Sequence, residues 1–357
     1  MARAGGTHLK RLRLAAAVVA LAAVAGGVLS ATLSAPHAGF TASVFVDIDK
    51  GTGTLGIAGL LEDAGVIRWR WQFLAARALR PRARLQAGEY QFSAPATVLE
   101  VFGRLVRGDV FYYELTVPEG NSVFEIAGRV AALGIIPAED FLAAASDPAP
   151  IRDLAPAAPS LEGYLFPSTY RLTRHTTAAQ LCRRMTERFR EVWRELGAKA
   201  GVHERVTLAS LVEKETAIAR ERPLVASVFR NRLRAGMSLD CDPTTIYAAL
   251  LEGRYRGTIH QSDLANRNRY NTYQHAGLPP GPIANPGRAS LEAALEPAET
   301  SYLYFVAEPG PSGAHRFSST LAEHRNAVSR YRRGNPKAVQ KTASRGAPAR
   351  VRPGRRR

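Results

Sequence analysis

From Leu14 to Leu33 the chain reads LAAAVVALAAVAGGVLSATL, twenty residues without a charge. As a helix that run is about 30 Å long, the thickness of a bilayer's hydrocarbon core. Arg3, Lys10, Arg11 and Arg13 precede it, and no acid occurs before Asp47. By the positive-inside rule the N-terminus (1–13) is cytoplasmic and everything after Ser34 lies outside. A cleaved signal peptide is the competing reading, because small residues follow at Ser34 and Ala35. The apolar run is long for a signal peptide, which favours an uncleaved single-pass anchor at 14–33.

At 357 residues the chain has room for two domains and a sizeable core. Its formal net charge is +17, but the excess is concentrated at the ends. The tail from Arg332 to Arg357 holds ten Lys or Arg and no acid and reads as disordered. A nucleic-acid-binding function, which the charge suggests, is excluded by topology: the body of the chain lies beyond the membrane. Cys182 and Cys241 show no spacing that demands a disulfide, and both read as free thiols. The eight His are scattered and no CxxC or HExxH occurs, so neither a metal nor another cofactor is expected.

Periodicity sets out the rest. Residues 34–45 read as a linker. Residues 46–110 read as a small α/β module, with helices at Leu55–Val66, Trp69–Leu79 and Val98–Val106 and a strand at Gly88–Phe92. A strand at Tyr112–Val117 follows, then a helix at Ser122–Leu133 with Ser122 and Glu125 in a capping-box arrangement. The Pro- and Ala-rich segment 134–160 is a boundary containing a short helix. Thr177–Leu196 is a long amphipathic helix. Further helices are expected at Ile246–Leu251, Ser290–Leu295 and Leu321–Arg332, with a buried strand at Tyr302–Ala307. Residues 263–286 form a long loop rich in Asn, Tyr, Pro and Gly, and loops of that length in compact domains are usually functional.

The chemistry centres on Leu208–Gly236. At about 100° per residue, Leu208, Leu211, Val212, Ile218 and Ala219 share one helix face, and Glu215 falls in its middle. Glu213, two residues earlier, points the other way, toward solvent. A carboxyl in an apolar surround stays protonated near neutral pH and can act as an acid. Alternatively Glu215 sits at the edge of the stripe or pairs with a base from elsewhere. Pro223 limits the first helix to about Val206–Arg220 and suits the first turn of a second, Arg222–Arg234, stopped by Gly236.

Three further stretches carry more polar and aromatic side chains than packing needs. They are Glu162-Gly-Tyr164-Leu-Phe-Pro167 with Tyr170, Asp242-Pro-Thr244-Thr245, and Tyr270-Asn271-Thr272-Tyr273 with the Gly277–Gly281 turn. Aromatic rings beside amides and hydroxyls suit a sugar. Each stretch could equally be a loop held by Asx turns. Glu162 is a possible second carboxylate for a two-acid glycosidase, though capping backbone N–H groups suits it better. No phosphate loop and no nucleophile elbow is present.

These residues resemble the endolytic murein transglycosylases of the MltG (YceG-like) family. The resemblance rests on LEGYLFPSTY (161–170), LASLVEKETAIARERPLVASVFRNRL (208–233), DPTTIY (242–247), YNTYQHAGLPPGPIANPG (270–287) and SYLYFVAEPGPSGAHRFSSTLAEHRNAV (301–328). It implies an α+β fold: an N-terminal transmembrane helix, a small LysM-like module at 46–110 and a mainly helical catalytic domain with a few strands at 111–331. The LysM-like part rests mainly on LQAGEYQF (85–92). The activity implied is non-hydrolytic cleavage of the β-1,4 bond between N-acetylmuramic acid and N-acetylglucosamine, giving 1,6-anhydro ends. The resemblance implies Glu215 as the single acid and base, with Glu213 the alternative acid. It also implies Glu162, Tyr164, Asp242, Thr244, Tyr270, Asn271 and Tyr273 as the lining of a substrate cleft. Implied partners are glycan strands, the cytoplasmic membrane and peptidoglycan synthases, with a role in terminating nascent strands. The competing function is a non-catalytic peptidoglycan-binding scaffold.

Overall fold

A computed structural model of the chain describes residues 5–197 and 201–334. The tail expected to be disordered lies outside these, apart from its first positions. The chain divides at Tyr113/Glu114 into two compact units.

The first unit holds α1 (Gly5–Ser34), β1 (Val44–Ile48), α2 (Thr54–Asp63), α3 (Arg70–Leu79), β2 (Gly88–Phe92) and α4 (Val98–Arg107). β1 and β2 pair antiparallel with Val46 opposite Tyr90. Strand alternation turns Val46 and Ile48 inward and leaves Asp47 outside. They meet Leu61, Phe73, Tyr90, Phe92, Val101, Phe102 and Leu105 in one core. α4 starts at a capping box between Thr97 and Glu100 and stops at Gly108, whose φ of 70° suits the left-handed C-cap.

Segment 34–45 does not run free as a linker. His37 and Ala96 form a β-bridge, and the Gly39 N–H donates to the Gly65 carbonyl at 2.8 Å. Leu33 is buried in the module's core and Leu29 packs against it. The last turn of α1 is therefore part of the module.

The second unit is mainly helical: β3 (Tyr113–Thr116), α5 (Val123–Ala132), α6 (Ala138–Ser146), β4 (Thr169–Leu172), α7 (Ala178–Glu195), α8 (Val202–Glu215), α9 (Arg222–Arg234), α10 (Asp242–Leu251), α11 (Gln261–Leu264), α12 (Arg288–Leu295), β5 (Tyr304–Ala307), β6 (His315–Ser318) and α13 (Leu321–Gly334). β3 pairs with β4 and β5 with β6, so each sheet has two strands. The Ser122–Glu125 capping box forms at the start of α5.

α8 is the central element. Val206 to Val212 are all buried, because α9 and α12 pack around it. This corrects the single-stripe reading, since a helix buried all round needs small and apolar residues on every side. α8 also ends earlier than expected. Thr216 is extended at φ −142°, so Ile218 and Ala219 lie beyond the helix and share no face with Glu215. A short 3-10 turn, Ala219–Glu221, leads into α9, where Pro223 occupies the first turn. The Tyr302–Ala307 strand, expected to be buried, is β5, whose four residues are all half-buried because only β6 flanks it.

Candidate active site

Glu215 is the last residue of α8, at the corner where the chain leaves the helix. Its carboxyl Oε1 accepts a hydrogen bond from the Cys241 thiol at 3.0 Å. Cys241 is the N-cap residue of α10, and Asp242 is that helix's first residue. Burial pushes the Glu215 carboxyl above its ordinary value. The Cys241 donor opposes that shift, the negative charge of Asp242 adds to it, and the charges of His315 and Arg232 oppose it weakly. Burial also pushes the Cys241 thiol far up, and the neighbouring Glu215 reinforces this, so Cys241 serves as a neutral donor.

Asp242 is exposed and accepts a hydrogen bond from the Tyr273 hydroxyl at 2.7 Å. The charge of Asp242 acts on Glu215. Arg232 holds the turn beneath: it donates to the carbonyls of Ser238 and Leu239 and to the Asp240 carboxylate at 3.0–3.2 Å. Asp240 has a φ of 50°, a left-handed conformation rare outside glycine, and the Arg232 clamp supports it.

A second layer braces the corner after α8. The buried Glu221 accepts from the His315 N–H at 3.0 Å, meets the His315 ring Nδ1 at 2.8 Å and accepts from the Thr216 hydroxyl at 3.2 Å. Burial acts to raise this carboxyl, but the His315 contacts and the Thr216 hydroxyl outweigh it, so Glu221 lies below the usual range.

Glu213 does not point into solvent. Its side chain is 7% exposed, bonds Arg222 at 3.2 Å and accepts from the Gly287 N–H at 3.0 Å. It is spent on holding α8, α9 and the segment before α12 together. Glu119 reaches the same Arg222 at 3.8 Å. Burial and the Glu213 charge raise its carboxyl.

Glu162 is 1% exposed and lies at the start of α5, where it accepts the Val123 N–H at 2.9 Å and the Asn285 amide at 2.8 Å. Burial pushes its carboxyl to about 8, against the pull of the Val123 N–H and of Tyr247. Asn285, which the sequence reading passed over, is the knot of this region. Its Oδ1 accepts the N–H groups of Gly163 and Leu165, and its Nδ2 donates to the Asn121 carbonyl and to Glu162. Gly163 has φ +88°, and a Cβ there would lie 2.4 Å from Pro282, so only glycine fits.

The other expected cleft residues are mostly enclosed. Tyr164 is fully buried, its hydroxyl 2.9 Å from His203 Nδ1. Thr244 is buried and bonds the Cys241 carbonyl and the Thr272 hydroxyl. Asn271 is buried; it donates to the carbonyls of Asp263, Leu264 and Asn266 and fixes the 263–275 loop. Tyr270 is half-buried, tilted against Tyr247 at 5.0 Å, its hydroxyl pushed to about 12 by burial. Of the residues expected to line a cleft, only Asp242 and Tyr273 are exposed, and Asp242 acts on Glu215; Glu162, Tyr164, Thr244 and Asn271 hold the surrounding loops from inside.

A carboxyl with a raised affinity for its proton, a neutral thiol donor on one oxygen and an exposed carboxylate–phenol pair beside it can deliver a proton and then take one back.

Comparison with known proteins identifies the family. The YceG-like family model matches residues 46–330. The endolytic murein transglycosylase of Bacillus subtilis strain 168 is 33% identical over 310 residues, covering 81% of this chain and 85% of that protein. The Streptococcus pneumoniae protein of the same name (strain D39) is 30% identical over 302 residues, and the match covers 74% of this chain and 54% of that one. Among solved structures, the crystal structure of a YceG-like protein from Listeria monocytogenes superposes with a TM-score of 0.51 at 32% identity, over 80% of this chain and 98% of the other. On the extent of the family match and the coverage of these relatives, the chain belongs to the YceG-like family.

Proposed function

We propose that the protein is a membrane-anchored lytic transglycosylase that cuts the β-1,4 bond between N-acetylmuramic acid and N-acetylglucosamine within peptidoglycan strands. The observation that carries this reading is Glu215, a carboxyl raised by burial beside the exposed Asp242–Tyr273 pair. Protonated Glu215 donates to the glycosidic oxygen as the C1–O bond breaks. Positive charge develops at C1, near the negative charge of Asp242. The Glu215 carboxylate, held by the Cys241 thiol, then takes the proton of the muramyl 6-hydroxyl as that oxygen bonds C1. The products are a free 4-hydroxyl and a 1,6-anhydro end, with no water consumed. One carboxyl suffices, whereas the hydrolytic route needs two flanking the bond. Glu162, enclosed by its own donors, is unsuited to be the second. Glu213, committed to Arg222, is the weaker candidate for the acid.

The names of the Bacillus and Streptococcus relatives support the activity. Burial of Leu33 in the module favours an uncleaved anchor at 14–33 over a signal peptide. The basic residues before the anchor favour a cytoplasmic N-terminus and an extracytoplasmic body. The β1-α2-α3-β2 order is compatible with a LysM-like module at 46–110, followed by the catalytic domain at 111–331. Termination of nascent strands beside the synthases is the cellular role we assign.

The test is mass spectrometry of products released from purified glycan strands by the full-length protein in detergent. We expect 1,6-anhydro-muramic ends, and Glu215→Gln should lower their rate about 10²–10⁴-fold. Reducing ends in their place, or activity that survives Glu215→Gln, would overturn the reading.

A further inference from the structure

Three features of the first unit concern the membrane rather than the glycan. The first is length. The charge-free run Leu14–Leu33 has twenty residues, which as a helix give about 30 Å, so the whole run is needed to cross the hydrocarbon. Yet Leu33 in its final turn is buried in the module's core, and Leu29 one turn earlier packs against it. The same turn cannot be sunk in lipid and enclosed by the module unless the module itself rests on the outer boundary of the bilayer.

The second is a joint. Gln72, 4% exposed, donates from its amide to the Thr32 carbonyl at 3.0 Å and accepts the Trp69 N–H at 3.2 Å. Thr32 lies two residues from the end of α1, and Trp69 caps the start of α3. One side-chain amide therefore ties the outer end of the anchor to the first turn of α3.

The third is what that turn displays. Trp69 and Trp71 are 43% and 44% exposed, stacked on each other with ring centroids 6.1 Å apart, and Arg68 lies over the Trp69 ring at 5.2 Å. From Arg68 to Arg84 there are six arginines and no acid. Large indoles left outside a well-filled core need a surface that is apolar and wet at once, as the headgroup layer is. Arg70, between the indoles, pairs with Glu62 at 2.6 Å, and Arg68 with the arginines that follow matches anionic lipid.

We propose that the face carrying Arg68, Trp69 and Trp71 sits in the headgroup layer of the membrane that α1 crosses, so that the module is moored at two points. This rests on the reading that α1 is a retained anchor. A glycan strand, the other ligand that stacks on aromatic rings, is disfavoured by the tie to the end of α1 and by the run of arginines.

The chain has three tryptophans, and the third, Trp193, is buried in the second unit. The full-length protein in nanodiscs containing anionic lipid brominated near the headgroup should lose much of its tryptophan emission. The Trp69→Phe/Trp71→Phe variant, retaining Trp193, should lose little. Trp193→Phe should show the larger loss, and more of it with anionic than with zwitterionic lipid. An Ala20→Trp variant in the background without the native tryptophans, with bromines placed deep in the acyl chains, reports the anchor itself. If Ala20→Trp is quenched while Trp69 and Trp71 are not, the mooring is wrong and the anchor stands. If Ala20→Trp is not quenched, the anchor reading fails and the mooring with it. Unquenched Trp69 and Trp71 whose emission shifts on addition of soluble glycan strands would reassign the pair to the cell wall and overturn the proposal.

Discussion

Removing the Cys241 thiol and removing the Asp242 charge should move the titration of Glu215 in opposite directions. The thiol donates to Glu215 and favours its carboxylate, so Cys241→Ala should raise the carboxyl further. Asp242 repels the carboxylate, so Asp242→Asn should lower it. The first step needs the protonated acid, and the rate falls as pH rises through that titration. The basic limb of the pH–rate profile should therefore move to higher pH in Cys241→Ala and to lower pH in Asp242→Asn, whatever rate remains. Limbs that shift the same way would remove Glu215 from the acid's role. At this scale the sequence singled out one carboxyl and recorded little of what surrounds it. Glu215 stood out through its helical spacing from Leu208, Leu211 and Val212; the Ile218 and Ala219 half of that pattern lies beyond the end of α8. Cys241, His315 and Glu221 reach the corner through contacts spanning 26 and 94 positions, which no local pattern records. Glu213 was misjudged for the same reason: the Arg222 that buries it lies across a helix break that periodicity carried straight through.

Between elements, the loops around the site are tied from within by buried polar side chains. Asn285→Ala would leave the Gly163 and Leu165 N–H groups and the Asn121 carbonyl without this partner, at a cost of about 3 kcal/mol in chemical denaturation. Glu213→Gln should also destabilise, by roughly 3 kcal/mol, because it breaks a buried pair with Arg222. Its pH–rate limb should stay in place, and a displaced limb would reveal a chemical role. Helices that open on a Ser or Thr cap were legible, as Ser122 with Glu125 shows, whereas α11, capped by His260 with Asp263, was not. The short strands β1, β4 and β6 were not. Each has four or five residues and a single partner, too little for a period of two to stand out.

For the whole molecule, the buried Glu162 makes stability depend on pH. Its carboxyl is held near about 8 in the folded state against 4.5 unfolded. Between those values the folded protein keeps a proton that the unfolded chain has released, so stability should fall as pH rises from about 4.5 to about 8. Glu215, also raised, adds in the same direction. Denaturant midpoints across that range should decline, and Glu162→Gln should flatten the decline; a midpoint that rises with pH would contradict the assignment. The burial of Leu33 bears on how the protein can be handled. A soluble fragment begun at residue 35 would lack Leu29, Thr32 and Leu33, opening a hole in the core and freeing the Gln72 amide. Solubility and an intact first unit are therefore in conflict, and a fragment meant to keep its shape must carry the last two turns of the anchor with it.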